Sequence, residues 1–406
     1  MTAARVQLVQ ELADAGFEVY SEEGWQLTQV LSTTAPGLAR LRDASGLTVS
    51  AEEVELAVRD PAGSVDEILS LFDAARRAGP GFYLVEQGRV EGPSEAEPTL
   101  LDLLIERSEI DMPARIVSDY SHRTITTALP FSPPRRWRET VARATVEAQA
   151  EAGAPSARRT IYEFGSPRRW RPDELLELIA ESAANSAVAV APPVGEHTVV
   201  FRGVAAGVVG HEIVGHYLEA DVGGRAIRVG SRLGPATINV HETVEGDDPW
   251  VWANTDDRGR PLEDRVLVQD GEVLELIGAT PVSPHWRRET FTHPALPRMR
   301  RLVLTGPDDV TAGDTGKLVI DTLRGGTLNS RTLVCTLLLG AGIWNGAPTW
   351  GGVIQLPVTE LLGRLEGVGG VSNSIREICV KGGQRVRTRV DSVPLQFRKL
   401  DVRVKD

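Results

Sequence analysis

The sequence predicts an α+β protein with two domains. Residues 1–192 are expected to form a mixed α/β domain, and residues 193–406 a mostly antiparallel β domain that carries one helical motif. Helix-start signals and strand-like alternation are interspersed before the segment AVAPPVGEH, which ends at His197 and interrupts both patterns. With 406 residues, 41% of them hydrophobic, the chain is long enough for two cores of ordinary size.

The first part contains signals for both kinds of element. A capping box in Ser64–Glu67 predicts one helix, and LLDLLIERS after Pro98 predicts a second. β-branched residues alternate with polar ones in ARIVSDYSHRTITTAL, which predicts a half-buried strand, and another strand is expected at Arg159–Phe164. Proline and acidic residues at its start favour a helix over Arg171–Ser186.

The second part is dominated by strand signals. Asp270-Gly271 lies between two apolar segments, Val266–Gln269 and Glu272–Ile277, and predicts a type I′ hairpin. The final stretch RVRTRVDSVPLQFRKLDVRV alternates in the same way. Further strands are predicted at Arg301–Thr305, Leu318–Thr322, Thr332–Leu339 and Val353–Leu356.

The charge balance argues against a nucleic-acid-binding protein. The formal net charge is −12, from 44 basic and 56 acidic residues, whereas binding to a phosphate backbone needs a positive surface. The short arginine clusters at Arg135–Arg138 and Arg298–Arg301 are flanked by acidic sequence. No apolar stretch reaches the length of about 20 residues that a bilayer requires, so no membrane association is expected.

The chain is expected to be cytoplasmic. Its first residues, MTAARVQLVQELADAG, are typical of an amphipathic helix rather than a signal peptide. The two cysteines exclude a framework of disulfides, which fits a reducing compartment. Cys335 lies within the apolar run TLVCTLLLG and is interpreted as a buried small hydrophobe. Cys379 lies in IREICVKGGQ, where the apolar run has ended, so its thiolate is available for chemistry.

The segment GVAAGVVGHEIVGHYLEAD places His211, Glu212 and His216 within six residues. Imidazole nitrogens are good zinc ligands, and a neighbouring carboxylate can take a proton from metal-bound water. A spacing of five residues separates two side chains by roughly 140° around a regular helix, against roughly 40° for a spacing of four. Both histidines can therefore bind one ion only if the helix is locally distorted, for example by a π-bulge. Gly215 makes such a distortion easier.

The residues themselves leave several interpretations of this segment open. His211 and His216 are either metal ligands or a buried, hydrogen-bonded pair, and His216 could also act with Glu219 without His211. A metal site needs a third ligand from elsewhere, and Cys379 is the most attractive candidate because thiolate binds zinc tightly at about 2.3 Å. The other histidines occur singly and are interpreted as surface or core residues: His122, His197, His241, His285 and His293.

Four stretches of the second part resemble the TldD/PmbA family, whose members are also described as modulators of DNA gyrase. VVGHEIVGHYLEAD is similar to the HExxxH helix of that family, and IREICVKGGQRVRTRVDSVPLQFRKLDV to its C-terminal segment, in which a cysteine precedes a Gly-Gln pair. TDDRGRPLEDRVLVQDGEVLELIGATP resembles its acidic-glycine turn and hairpin, and THPALPRMRRLVLTG the stretch that leads into the later strands. The resemblance covers Val199 to Val404.

This resemblance implies a zinc-dependent metallopeptidase. The implied Zn²⁺ ligands are His211, His216 and Cys379, with Glu212 as the general base. Because all four positions are intact, the chain resembles the active member of a pair of related subunits, and the implied assembly is a homodimer or a heterodimer with a TldE/PmbA-like subunit. The implied substrates are unfolded or modified peptides and peptide-like natural-product precursors, taken up as an added strand during peptide maturation.

Two other functions remain open for the same residues. A non-catalytic partner subunit could bind peptide without cleaving it, although such a subunit need not keep HEIVGH and Cys379 intact. An amidase that acts on a small natural-product conjugate would use the same zinc chemistry. Nucleotide-dependent enzymes and nucleophile-elbow serine hydrolases are disfavoured, because the sequence has no phosphate-binding glycine loop and no G-x-S-x-G.

Three further features receive simple interpretations. Arg298, Arg300 and Arg301 could engage a substrate carboxylate, but we expect them to be solvated at the surface. The acidic pair in Asp256–Gly259 predicts a plain turn. The similar stretches SPPRRWRE, SPRRWRPDE and SPHWRRET are irregularly spaced, and each is expected to form a separate chain turn in which arginine covers tryptophan.

Overall fold

The structure is a computed structural model. It describes the backbone of nine strand segments between residues 18 and 164, and most residues from 186 to 404. Within the second range the description leaves out residues 245–247, 249, 252, 254–255, 257–261, 281–284, 290–294 and 311–314. The described residues form mostly β-strands in mixed sheets, with few helices, which agrees with the predicted α+β class. The division into residues 1–192 and 193–406 stays a prediction.

The strands before residue 165 form one nine-stranded sheet. They are β1 (Glu18–Glu22), β2 (Leu27–Ser32), β3 (Leu38–Ala39), β4 (Val54–Ala57), β5 (Phe82–Glu86), β6 (Arg89–Glu91), β7 (Ala114–Ala128), β8 (Arg135–Ala148) and β9 (Ala157–Phe164). The order is β3-β2-β5-β1-β7-β8-β9, with β4 paired to β2 and β6 paired to β7. Strands β1 and β5 are parallel, whereas β7, β8 and β9 form a long antiparallel ladder.

The strands predicted in ARIVSDYSHRTITTAL and at Arg159–Phe164 are confirmed by β7 and β9. The turn expected in SPPRRWRE is wrong, because this stretch runs into β8, which pairs with β7 along nearly its full length. Its sequence RETVARATVEA alternates polar with small or β-branched residues, and β7 supplies the hydrogen-bond partners that a turn would lack. The helices predicted to begin near residues 64, 98 and 171 lie outside the described residues, apart from a helical turn at 186–188.

The described residues after 186 contain seventeen further strands. They are β10 (Gly195–Phe201), β11 (Asn239–Glu242), β12 (Arg265–Gln269), β13 (Glu272–Val273), β14 (Trp286–Arg287), β15 (Leu296–Pro297), β16 (Arg301–Thr305), β17 (Lys317–Ile320), β18 (Leu323–Leu328), β19 (Val334–Leu339), β20 (Ala341–Trp344), β21 (Ala347–Trp350), β22 (Val353–Pro357), β23 (Leu365–Val368), β24 (Asn373–Lys381), β25 (Gln384–Ser392) and β26 (Leu395–Val402). The four strands predicted between residues 301 and 356 are confirmed by β16, β17, β19 and β22, with ends that differ by at most two residues.

These strands form four sheets. Two have six strands, in the orders β21-β20-β17-β10-β26-β23 and β13-β12-β11-β16-β25-β24, and the others are β18-β19-β22 and β14-β15. Most pairings are antiparallel, as predicted, but β10 with β17 and β16 with β25 are parallel. The stretch SPHWRRET also differs from expectation, since Trp286 and Arg287 form β14 instead of a turn.

Two tight hairpins fix strand register in this part. The type I′ turn predicted at Asp270-Gly271 is confirmed by φ angles of 50° and 81° and by the pairing of Gln269 with Glu272. A second two-residue turn, Gly382-Gly383, has φ angles of 59° and 78° and joins β24 to β25. Its register places Cys379 opposite Val386 and therefore sets where the thiol lies.

One buried helical segment packs against these sheets. It consists of α1 (Gly203–Val209), a π-helical turn (Gly210–Gly215) and α2 (His216–Leu218). Two separate short helical elements follow later in the chain, a 3₁₀ turn (Gly223–Arg225) and α3 (Val358–Gly363). Ala205, Val209 and Ile213 are fully buried in the main core. A Cβ on Gly207 would lie 2.7 Å from Ile375, so glycine is what allows α1 to approach β24 so closely. Among the described residues, no helix has the length and apolar character needed to cross a bilayer.

Candidate metal centre

The π-helical turn brings the two histidines of the HEIVGH segment together. The backbone N–H of His216 donates to the carbonyl of His211, five residues earlier, which is the hydrogen bond of a π-turn. The wider turn places both side chains on one side of the segment, and their ring centroids are 4.9 Å apart at an interplanar angle of 84°. The distortion that the spacing of five required is therefore present.

Gly215 serves this turn for a different reason from the expected one. Its φ of −60° is helical, so no unusual backbone conformation is required of it. A Cβ at this position would instead lie 2.7 Å from Cε of Met299 and 2.8 Å from Cδ1 of Leu302. Glycine is needed because the π-turn lies against these two buried side chains.

Cys379 completes a cluster of three potential ligands. Its Sγ atom lies 3.3 Å from Nε2 of His216, and one potential ligand atom from each of Cys379, His211 and His216 lies within 4.8 Å of the others. All three side chains are buried. Arg298 supports the strand behind the thiol, because its guanidinium donates to the carbonyl of Cys379 at 3.0 Å. The structure thus brings together the three residues that the family resemblance implies as ligands.

Glu219 binds the far side of His216. Its Oε2 accepts from Nδ1 of His216 at 2.8 Å, and its Oε1 accepts from the backbone N–H of Met299 at 3.1 Å. The ammonium of Lys381 lies 2.7 Å from the same carboxylate. Because Glu219 engages Nδ1, it leaves Nε2 of His216 facing the thiol. The interpretation in which Glu219 replaces His211 in the cluster is therefore not supported.

The carboxylate of Glu212 contacts strand β18. Its Oε2 accepts the backbone N–H of Leu328, in β18, at 2.9 Å. Burial raises the pKa of the Glu212 carboxyl, and the charges of His211 and His216 oppose that shift. A carboxylate that is partly desolvated and held by one backbone donor is well suited to exchange protons.

Glu377 is a site residue that the sequence analysis missed. Its Oε2 lies 3.1 Å from Nδ1 of His211, and its side chain is 27% exposed. It lies in β24 two residues before Cys379, and side chains two apart on a strand point to the same face. The alternation could have revealed it only once IREIC was known to be a strand. Burial raises the pKa of the Glu377 carboxyl, against the charge of His211.

The electrostatics favour a thiolate at Cys379. Burial would raise the pKa of the thiol, but the charges and hydrogen bonds of His211 and His216 hold it well below its usual value. In the same way, burial would lower the pKa of His211, but Cys379 and Glu377 raise it to about 9. Cys335 differs: burial, with Glu212 nearby, raises the pKa of its thiol far above the usual value, in agreement with its predicted role as a small hydrophobe.

Two arginines expected at the surface are buried. Arg298 is fully buried against the end of β24, and Arg300, 5% exposed, donates to the carbonyl of Val251. Arg301, the third arginine of this cluster, is part-exposed, and its Nε lies 2.8 Å from the carboxylate of Asp391. The expectation fails because carbonyl groups of neighbouring segments accept hydrogen bonds from these guanidinium groups inside the fold.

The single histidines lie apart from the cluster wherever the structure describes them. His197 contacts the carbonyl of Val194 and packs on Trp344, and His241 is exposed in β11. His285 is buried beside Glu242, with Nδ1 3.1 Å from the carboxylate. The side chains of His122 and His293 lie outside the described residues. In the turn predicted at Asp256–Gly259, the carboxylate of Asp256 accepts from the backbone N–H of Trp286, and residues 257–259 are not described.

Comparison with known proteins identifies the fold. No family model matches the sequence. TldE from Thermococcus kodakarensis has a TM-score of 0.61 and 13% identity, over 98% of this chain and 100% of that chain. A putative modulator of a DNA gyrase from Thermotoga maritima has a TM-score of 0.60 and 16% identity, over 98% and 99% of the two chains. A putative modulator of DNA gyrase from Bacteroides thetaiotaomicron gives 0.59 and 14%, over the full length of both chains.

The resemblance that the motifs indicated is thus confirmed at the level of the fold. The similarity extends along nearly the whole length of each chain, so it is not restricted to the region of the motifs.

Proposed function

We propose that this chain is a zinc-dependent hydrolase of amide bonds in unfolded or modified peptides or in peptide-like precursors. The observation that carries the proposal is the convergence of two imidazoles and one thiol within 4.8 Å. Glu212 lies beside them, close enough for their charges to shift its pKa. The fold shared with TldE and with putative gyrase modulators supports the same assignment, because the motif resemblance points to the metallopeptidases of that group.

The donor set fits zinc. A catalytic zinc site has three protein ligands drawn from nitrogen, sulfur and oxygen donors, and keeps one position open. His211, His216 and Cys379 would supply two nitrogens and one sulfur. A thiolate is a poor ligand for magnesium or calcium and a good one for zinc, so the lowered pKa of Cys379 favours a soft metal.

Glu212 would be the general base. When bound, zinc supplies a Lewis acid that polarises a carbonyl and acidifies water. The Leu328 N–H holds Oε2 of Glu212, which leaves Oε1 to accept the proton of the attacking water and to deliver it to the leaving amine. The raised pKa of this carboxyl brings its basicity closer to neutral pH, where both steps are efficient.

An extended peptide would be aligned by β18. Within the described residues β18 is an end strand of its sheet, and the N–H of Leu328 at its end is directed at Glu212. A peptide that pairs with the outer edge of β18 would therefore run past the general base. Such pairing selects extended chains over folded proteins. Accordingly, methylation of alternate backbone nitrogens in a good substrate is expected to raise KM.

A second candidate function is a thiol hydrolase. The contact of Cys379 with Nε2 of His216 at 3.3 Å, and of Nδ1 of His216 with Glu219 at 2.8 Å, has the order of a nucleophile, a base and an orienting carboxylate. In this mechanism Cys379 would attack the carbonyl directly, and hydrolysis would survive removal of metal.

Metal content is the first test. Elemental analysis is expected to give about one zinc per chain in the wild type, and far less in His216→Ala and Cys379→Ala. Cys335→Ala is the matched control, because it removes the other buried thiol and should retain zinc. Full zinc retention in Cys379→Ala would contradict the three-ligand site. No zinc in the wild type, with none taken up on reconstitution, would favour a peptide-binding partner subunit without catalysis.

Measurements of hydrolysis distinguish the zinc mechanism from the thiol mechanism, and a peptidase from an amidase. Glu212→Gln should retain zinc but lose about 10²- to 10⁴-fold in kcat, because only proton transfer is removed. A chelator should abolish hydrolysis, and added zinc should restore it; hydrolysis that persists without metal would favour the thiol mechanism. A panel of peptides beside acyl-amino-acid conjugates would distinguish a peptidase from an amidase of small conjugates.

The assembly is proposed to be a dimer. The chain shares its fold with TldE from Thermococcus kodakarensis, and the motif resemblance implies pairs of related subunits. Light scattering on the purified chain would report a homodimer directly. A monomer that dimerises only with a TldE/PmbA-like chain would instead indicate the heterodimer.

A further inference from the structure

Each imidazole of the cluster faces a carboxylate through Nδ1. Glu219 contacts Nδ1 of His216 at 2.8 Å, and Glu377 contacts Nδ1 of His211 at 3.1 Å. The two carboxylates come from different places in the chain. Glu219 follows the helical segment, whereas Glu377 belongs to β24, the strand that also carries Cys379.

The surroundings of the two carboxylates differ. Glu219 is fully buried, and Lys381 and the N–H of Met299 bind it in addition to His216. Glu377 is 27% exposed, and among the described residues its side chain forms an ion pair with His211. The orientation of Glu219 is thus fixed by several groups, while Glu377 is directed mainly at one imidazole.

Thr388, in the neighbouring strand β25, also contacts the imidazole of His211. It pairs with Glu377 across the β24–β25 ladder, and its hydroxyl oxygen lies 3.5 Å from Nδ1 of His211 and 3.5 Å from the carbonyl of Glu377. The backbone register that places Cys379 therefore also places Glu377 and Thr388 on the Nδ1 side of His211.

We propose that Glu377 is a positioning residue that accepts the Nδ1–H of His211 and so leaves Nε2 of that imidazole to ligate the metal. This inference rests on the proposed role of His211 as a metal ligand. A carboxylate on the distal nitrogen fixes the tautomer and the ring orientation of a ligating histidine, and it increases the basicity of the ligating nitrogen. Since Glu377 and Cys379 lie on one strand, β24 would supply both a ligand and the support of another ligand.

Zinc affinity tests the proposal in the full-length protein. Competition with a chromophoric chelator is expected to show binding about 10- to 100-fold weaker in Glu377→Ala than in the wild type. Glu377→Gln should fall between the two, because its amide oxygen still accepts a hydrogen bond but carries no charge. Glu272→Ala, an exposed glutamate in β13, is the control and should bind zinc like the wild type.

A spectroscopic measurement separates positioning from other roles. In the cobalt-loaded wild type, the Nδ1–H protons of His211 and His216 should give two exchangeable, paramagnetically shifted proton resonances in water. Glu219→Ala keeps all three ligands and should lose only the resonance of His216, which assigns the two signals. In Glu377→Ala, the resonance of His211 should be lost through exchange with solvent, while that of His216 persists because Glu219 still holds it.

Several results would overturn the inference. Zinc affinity of Glu377→Ala within twofold of the wild type would do so, as would an unchanged His211 resonance. Binding by Glu377→Gln as weak as by Glu377→Ala would indicate direct ligation by Glu377 instead. If the wild type itself binds neither zinc nor cobalt, the proposed function fails together with this inference; if it binds both and the variants do not differ, only the inference fails.

Discussion

The thiol of Cys379 lies 3.3 Å from Nε2 of His216, although 163 residues separate the two in the sequence. Two local features make this approach possible: the π-turn that ends at Gly215, and the Gly382-Gly383 hairpin that sets the register of β24. Arg298 holds the carbonyl of Cys379 from outside the sheet. The cluster thus depends on backbone geometry in two distant parts of the chain.

Replacing Glu219 by alanine is expected to destabilise the metal-free protein by about 3–5 kcal/mol. The change removes one partner of a buried charge pair, and Lys381, whose side chain is 9% exposed, would lose that partner. The free energy of unfolding in urea measures the effect. Asp221→Ala is the control, because Asp221 binds the same ammonium but is 35% exposed, and its loss should be about 1 kcal/mol or less. Similar losses of unfolding free energy in the two variants would contradict the view that Glu219 is the main buried partner of Lys381.

The metal-free folded protein should contain a thiolate at neutral pH. The pKa of Cys379 is well below its usual value when folded, so the folded thiol has lost a proton that the same thiol in the unfolded chain holds until about pH 9. The stability gained from this ionisation is complete above the unfolded pKa and is lost as the pH falls through the folded pKa. Absorbance near 240 nm at pH 7 should therefore disappear on unfolding.

Two variants assign that absorbance. Cys379→Ala should remove it, and Cys335→Ala should leave it unchanged, because burial raises the pKa of the Cys335 thiol and keeps it protonated. A signal that follows Cys335 would be incompatible with the charge distribution of the cluster.

A methyl group at Gly215 should disturb the π-turn. Alanine would bring its Cβ to 2.7 Å from Cε of Met299 and 2.8 Å from Cδ1 of Leu302, and overpacking of this kind costs about 1–3 kcal/mol. Thermal or urea unfolding measures the loss, and zinc affinity should fall with it. Gly363→Ala is a matched control within α3, because nothing lies within 4 Å of its Cβ position, and its effect should be neutral or slightly stabilising. Equal behaviour of both variants would refute the packing explanation.

Acid should destabilise the protein partly through Asp248. Burial would raise the pKa of this carboxyl, but Arg389, the N–H of Trp250 and Arg376 lower it below 3.8. The unfolded chain therefore takes up a proton at a higher pH than the folded chain, and the stability that this group contributes is lost as the pH falls below about 3.8.

Urea midpoints between pH 6 and pH 3 test this effect. The wild type should lose stability over that range, and Asp248→Asn should lose less because its pair is already broken. Asp401→Asn, in an exposed pair with Arg403, should follow the wild-type curve. If the urea midpoint of Asp248→Asn falls with pH as steeply as that of the wild type, Asp248 does not contribute to the acid sensitivity.

The fold was predictable where the pattern is local. The hairpin at Asp270-Gly271 follows from a two-residue turn, and β7 follows from its alternation. The strand β8 was not predicted, because prolines and arginines at its start suggested a turn and its pairing with β7 is a non-local property. Arg298 was expected at the surface for a similar reason: the sequence does not reveal the carbonyl groups that receive its hydrogen bonds.

The sequence by itself determined which residue types could form the site and which distortion they needed. HEIVGH carries two imidazoles and a carboxylate, and a spacing of five demands a wider turn than the α-helix, because side-chain direction follows from backbone geometry. Only the tertiary structure decided that Cys379 lies against the two histidines, and that the carboxylates of Glu377 and Glu219 lie against their Nδ1 atoms. Those contacts join β24 to the helical segment, and contacts between distant segments depend on the packing of the whole chain.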